Sequence, residues 1–149
     1  EGFSLIELVV VVAVLAVLSA VAIPQFTNIS NKARAAAASN TVATVAKECA
    51  AKVADAGSGT YTPPITMQGY KDSTGGWYPT VTNISSARGS KSSSGSAIAC
   101  PINTGIFGLH SENTAEYPSF FYNNGTGAKT CIADSGSAAE NRGCPNGTW

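Results

Sequence analysis

Between Phe3 and Ile23 the chain carries a single charge, Glu7, and from Leu8 to Ile23 only the hydroxyl of Ser19 interrupts the apolar run. As a helix rising about 1.5 Å per residue this stretch is roughly 32 Å long, enough to cross the ~30 Å hydrocarbon layer of a bilayer. Ala20-Val21-Ala22 has the small-residue look of a signal-peptide cleavage site. However, no Lys or Arg precedes the apolar run, and its N-terminal flank is acidic, with Glu1 and Glu7. The segment therefore reads as a membrane helix.

Beyond Pro24 the pattern becomes amphipathic. Phe26, Ile29, Ala33, Val42, Val45, Cys49 and Val53 recur at steps of three and four, the stripe of a helix with one buried face, while Asn28, Lys32, Arg34, Asn40, Lys47 and Asp55 fall largely off it. Gly57 and Gly59 can supply a left-handed stop. Together these signals predict one helix over residues 3–56, about 80 Å long, with Pro24 carried as a kink. Residues 57–95 are punctuated by Pro63-Pro64, Gly75-Gly76 and the serines of Ser90 to Ser96, and read as a surface connection with one short strand. Strand-like runs follow at 97–100, 119–122 and 128–132, and the last two flank Asn123-Asn124-Gly125-Thr126-Gly127, a hairpin signal. The expected class is α+β, a long helix packed on a small antiparallel sheet.

At 149 residues the chain has room for one domain and one extra element. Nine basic residues balance nine acidic ones, and only 12% of the chain is charged, so no basic nucleic-acid face is indicated. Cysteines stand at 49, 100, 131 and 144 without a CxxC pair, and His110 is the only histidine. Disulfides in an oxidising compartment fit this better than zinc, and four cysteines allow three pairings. His110 reads as a surface or hydrogen-bonded loop residue, and Trp77, Tyr78, Phe120, Phe121, Tyr122 and Trp149 as core. The N-glycosylation patterns at Asn28, Asn83, Asn124 and Asn146 read as chance matches in an Asn-, Ser- and Thr-rich chain. No nucleophile–base pair, phosphate loop or paired acidic site stands out, so neither an enzyme nor a metal or cofactor is expected.

Glu7 is the anomaly. A carboxylate at membrane depth costs a few kcal/mol even on forgiving scales, and such residues usually serve a function with a definite partner. The nearest available cation is a chain-terminal amine, on the same subunit or the next.

Gly2-Phe3-Ser4-Leu5-Ile6-Glu7-Leu8, the apolar run and Pro24 together resemble the class III signal and N-terminal helix of type IV pilins, over about the first 26 residues. The resemblance implies cleavage after Gly2 by a prepilin peptidase, N-methylation of Phe3, and a head with a four-stranded sheet and a disulfide-closed C-terminal loop. It also implies a homopolymeric helical filament built by a pilus assembly machinery, with the subunit in the inner membrane first and in an extracellular fimbrium afterwards. Ala16 stands where many pilins have glycine. Lys32 and Arg34 lie on the C-terminal side of the membrane segment, so a basic leader would have to set orientation.

On this reading Glu1 and Gly2 are a leader remnant or extra N-terminal residues, 3–24 form the membrane and filament-core half, and 25–149 form the head. Within the head, 25–56 is amphipathic helix, 57–95 the connection, and 96–149 the sheet and C-terminal loop. Ala13, Ala16 and Ala20 give the small-residue spacing for close helix packing in a filament. With Cys49 on the buried stripe and a closed C-terminal loop, the expected pairs are Cys49–Cys100 and Cys131–Cys144. The implied role is a pilus subunit for adhesion, motility or DNA uptake, its surface specificity carried by the loops at 57–95 and 132–143. The alternative is a pseudopilin of a type II secretion system. That alternative would favour a calcium-binding loop, for which Asp134, Glu140 and Asn141 are sparse ligands. A membrane-tethered domain that never polymerises has no use for Glu7.

Overall fold

The computed structural model describes residues 2–62, 67–70, 76–81, 97–101 and 105–149. Pro63-Pro64, Gly75, Asn83 and the run from Ser90 to Ser96 lie outside the described residues, as do the side chains of Trp77 and Tyr78. The element order is α1 (Leu5–Ala56), β1 (Thr60–Tyr61), β2 (Gly76–Val81), β3 (Ile98–Ala99), β4 (Ile106–His110), β5 (Ser119–Asn123) and β6 (Lys129–Ile132). Short 3-10 turns follow at Glu140–Arg142 and Pro145–Gly147. One long N-terminal helix on a small antiparallel sheet is an α+β fold.

Helix α1 runs without a break through Pro24, which has no N–H to offer the Ala20 carbonyl. Ser19 and Thr27 return their hydroxyls to the carbonyls of Leu15 and Ile23, at 2.7 and 3.2 Å, so neither presents an unsatisfied donor on the apolar surface. The helix ends where Gly57 takes a left-handed conformation, φ 71°, and donates its N–H to the Val53 carbonyl at 2.8 Å. Glycine adopts that conformation without a Cβ penalty.

The main sheet has the order β2-β4-β5-β6, all antiparallel, and β1 pairs with β3 in a separate two-stranded ribbon. β5 and β6 form the hairpin around Asn123–Gly127. Two strands, β1 and β2, lie in the span read from sequence as a connection with one strand. β2 contains Pro79, which edge strands tolerate, and its register with β4 shifts between Tyr78 and Val81, around the proline that has no N–H to pair. β4 was not anticipated at all, and it places His110, expected in a loop as a surface or hydrogen-bonded residue, in a buried strand where it is hydrogen-bonded to Ser119. Gly108 at its centre hid the strand pattern. It is required there because a Cβ would overlap the Phe120 carbonyl oxygen of β5.

The buried face of α1 also differs from the expected stripe. Phe26 and Ile29 are 74% and 64% exposed, and Ala33 is exposed too. The buried face is Asn31, Ala35, Ala38, Val42, Val45, Ala46 and Cys49. Ala35 and Ala38 on this face are fully buried, whereas the bulkier residues before Asn31 prolong the exposed apolar run. Tyr61, Phe107, Leu109 and Phe120 complete the core, with Tyr61 and Phe107 rings 5.9 Å apart.

Two disulfides tie this core. Cys49 on α1 bonds Cys100, with Cα atoms 5.3 Å apart, and Cys131 on β6 bonds Cys144, at 5.7 Å. Around the first, Cys100 donates its N–H to the Gly59 carbonyl at 2.8 Å, and Lys52 Nζ reaches the Thr60 carbonyl and Glu48, each at 2.7 Å. Replacing Cys49 and Cys100 together by Ser is expected to lower stability by about 2–4 kcal/mol, measured by urea denaturation. A non-reduced peptide map joining Cys49 to Cys131 would contradict the pairing.

Candidate functional site

Helix α1 begins with a capping box. Ser4 is the N-cap, and its Oγ accepts the N–H of Glu7 at 3.3 Å while Glu7 Oε2 accepts the N–H of Ser4 at 3.0 Å. Two donors at the helix start are satisfied reciprocally, and the carboxylate sits at the positive end of the helix dipole. Such a cap stabilises a helix start by about 0.5–2 kcal/mol. Glu7 therefore has a partner within its own chain that the sequence reading did not consider. The signal was present as Ser-x-x-Glu before an apolar run.

Gly2 and Phe3 precede the cap in non-helical, exposed backbone, and Phe3 is 91% exposed. The Gly2–Phe3 peptide bond is thus open to a processing enzyme. Cutting it leaves both partners of the capping box in the chain.

From Leu5 to Ile29 the helix surface is exposed around its whole circumference, because the head covers only the later turns. α1 is long and apolar enough to cross a membrane. Ala13, Ala16 and Ala20 share one face at spacings of three and four, where small side chains let a second helix come close. Pro24 is exposed in the same run. Among the described residues, no element of the head meets Glu7 or these alanines, so the expected assembly residues stay apart from the sheet and its disulfides.

Where the apolar half meets the head, a polar lock joins α1 to the C-terminal loop. Arg142, buried between Cys131 and Cys144, donates to the Glu116 carbonyl at 2.6 Å and to Asn28 Oδ1 at 3.2 Å. Tyr117 donates its hydroxyl to Asn31 Oδ1 at 2.9 Å, and Arg34 donates to both Asn31 and Tyr117, at 3.3 and 3.2 Å. The Arg142 guanidinium also lies 5.8 Å from the Tyr117 ring centre. Sequence reasoning missed this set because its members are up to 114 residues apart. Arg142→Met is expected to lower stability by about 1–3 kcal/mol, since acceptors on both elements lose their charged donor, and Arg142→Lys to recover only part of that loss. Urea denaturation of the detergent-solubilised chain reads the difference.

Asp134 and Glu140 hold the loop itself. Asp134 Oδ1 accepts from Thr114 Oγ1 at 2.8 Å, and Glu140 Oε2 accepts from the Gly136 N–H at 2.9 Å. Among the described residues, no three His, Cys, Asp or Glu side chains come together as a metal site. Buried His110 contacts the Ser119 hydroxyl through Nδ1, and Ser119 Oγ also accepts the Ser111 N–H at 2.9 Å.

Residues 1–23 match the family model described as the prokaryotic N-terminal methylation motif. No curated protein and no solved structure matches the chain.

Proposed function

We propose that this chain, whose N-terminal methylation motif is characteristic of type IV pilin-like prepilins, is the structural subunit of a type IV pilus. The motif itself points to a structural subunit, processed by prepilin peptidase and assembled into a pilus-like filament. One observation carries the finer reading. An apolar helical half lies exposed beyond the part of α1 that the sheet covers, and it is preceded by an accessible Gly2–Phe3 bond. Such a surface is stable in lipid or against other apolar helices, of which further copies of this chain are the ones a filament supplies. The subunit waits in the inner membrane through residues 3–24 and then exchanges lipid for neighbouring helices in an extracellular fimbrium. The filament serves adhesion, motility or DNA uptake, and the loop at 132–143 presents part of its surface.

A pseudopilin would share the N-terminal half. The head favours the pilus reading, because Cys131–Cys144 closes the C-terminal loop and both of that loop's carboxylates are engaged in holding its shape. Shearing cells and identifying the released protein distinguishes the two. A pilus subunit appears in the sheared filament fraction. Retention in the membrane fraction, with loss of protein secretion on deletion, would assign the chain to the secretion system instead.

A further inference from the structure

The sequence contains two Asn-Gly dipeptides, Asn124-Gly125 and Asn146-Gly147. In such a pair the glycine has no side chain to obstruct its own amide nitrogen from approaching the preceding side-chain amide. The fold holds the two pairs very differently.

Asn124 is held on every side. Its N–H donates to the Gly105 carbonyl at 2.9 Å, its Nδ2 to the Pro101 carbonyl at 3.2 Å, and the Gly125 N–H to Asn123 Oδ1 at 2.9 Å. Asn146 is exposed, and its side-chain amide has no hydrogen-bond partner among the described residues. Its backbone sits at φ 57°, ψ 30°, making it the one non-glycine residue at positive φ among those described. The surrounding 3-10 turn is closed at Thr148 by a long bond, 3.3 Å from the Thr148 nitrogen to the Pro145 oxygen. Opening this turn gives up little, because one long hydrogen bond closes it in an exposed segment.

We propose that Asn146 is a site of spontaneous covalent modification, converted to aspartate and isoaspartate, while the fold protects Asn124. Rotation about the Asn146 Cα–C bond brings the Gly147 nitrogen to Asn146 Cγ. The nitrogen loses its proton and bonds to Cγ, the bond from Cγ to the side-chain nitrogen breaks, and ammonia leaves, forming a five-membered cyclic imide. Water then opens the ring. Attack at Cγ gives aspartate, and attack at the main-chain carbonyl gives isoaspartate; no oxidant or reductant takes part. Either product adds one negative charge to a chain whose formal net charge is +0.

Isoaspartate also lengthens the main chain by one methylene within the segment that seals the sheet edge. There Thr148 bridges Thr130 of β6. The Trp149 indole N–H is shared between the carbonyls of Thr130 and Phe121, at 2.9 and 3.2 Å, and its ring meets buried Phe120 edge-on at 5.5 Å. Modification at Asn146 thus loosens the clamp on β6.

The test is to incubate the purified, detergent-solubilised chain in warm, mildly alkaline buffer and map its peptides by mass spectrometry. Isoaspartyl methyltransferase labelling marks the isomer. Modification at Asn146 is expected to outpace that at Asn124 about tenfold, and the ratio to vanish once the chain is reduced and unfolded. Asn123→Ala removes the acceptor from the Gly125 N–H and is expected to raise the rate at Asn124 about tenfold. Equal native rates, faster reaction at Asn124, or an unmodified Asn146 in a chain that reacts there when unfolded would each overturn the proposal.

Discussion

Ala16→Phe is expected to abolish surface filaments while leaving the protein in the membrane. Residue 16 is on the small-residue face of the exposed half of α1, between Ala13 and Ala20. In a filament whose helices pack along that face, a phenyl ring in place of a methyl holds neighbouring axes apart. Overpacking costs about 1–3 kcal/mol at a single contact, and a polymer meets that cost at every subunit. The same substitution leaves the segment as apolar as before, so insertion into lipid is retained. Fractionation, immunoblotting and electron microscopy of sheared material read both outcomes. Intact filaments from the variant would refute packing along this face.

The second large effect is expected at Glu7. A carboxylate among lipid tails is costly, and a neighbouring subunit's terminal amine would recover much of that cost only when adjacent helices are offset axially. The capping box offers a competing explanation, because Glu7 already accepts the Ser4 N–H of its own chain. Glu7→Gln separates the two, since glutamine serves equally at this position of a capping box but carries no charge. Glu7→Ala removes both functions. If charge pairing sets subunit register, both variants insert into the membrane and both assemble poorly. Normal filament yield from Glu7→Gln with a defect only in Glu7→Ala, and processing confirmed by mass spectrometry, would leave the cap as the whole role of Glu7.

Much of the architecture could be read from local pattern. The apolar run, Gly57 and the Asn123–Gly127 turn are local signals, and they correspond to the exposed half of α1, its C-terminal stop and the β5–β6 hairpin. The misses share a physical cause. β4 is buried along Phe107–His110, so successive residues do not alternate between core and solvent, and Gly108, needed for close approach to β5, reads as a break. The buried face of α1 was misjudged at Phe26 and Ile29 because helical spacing shows which residues share a face but not what covers them. The lock among Asn28, Asn31, Tyr117 and Arg142 depends on contacts made only after the sheet has folded onto α1. The capping box is legible as Ser4-x-x-Glu7 before an apolar run.

Whether the exposed half of α1 forms the core of a filament can be read from a helical reconstruction of sheared filaments, paired with the N-terminal mass of the subunit. The expected result is a chain starting at N-methylated Phe3, an axial core of packed helices with Ala13, Ala16 and Ala20 at their contacts, and heads forming the outer surface. A filament held together by its heads, with residues 3–24 facing solvent or lipid, or a subunit still carrying Gly2, would contradict it.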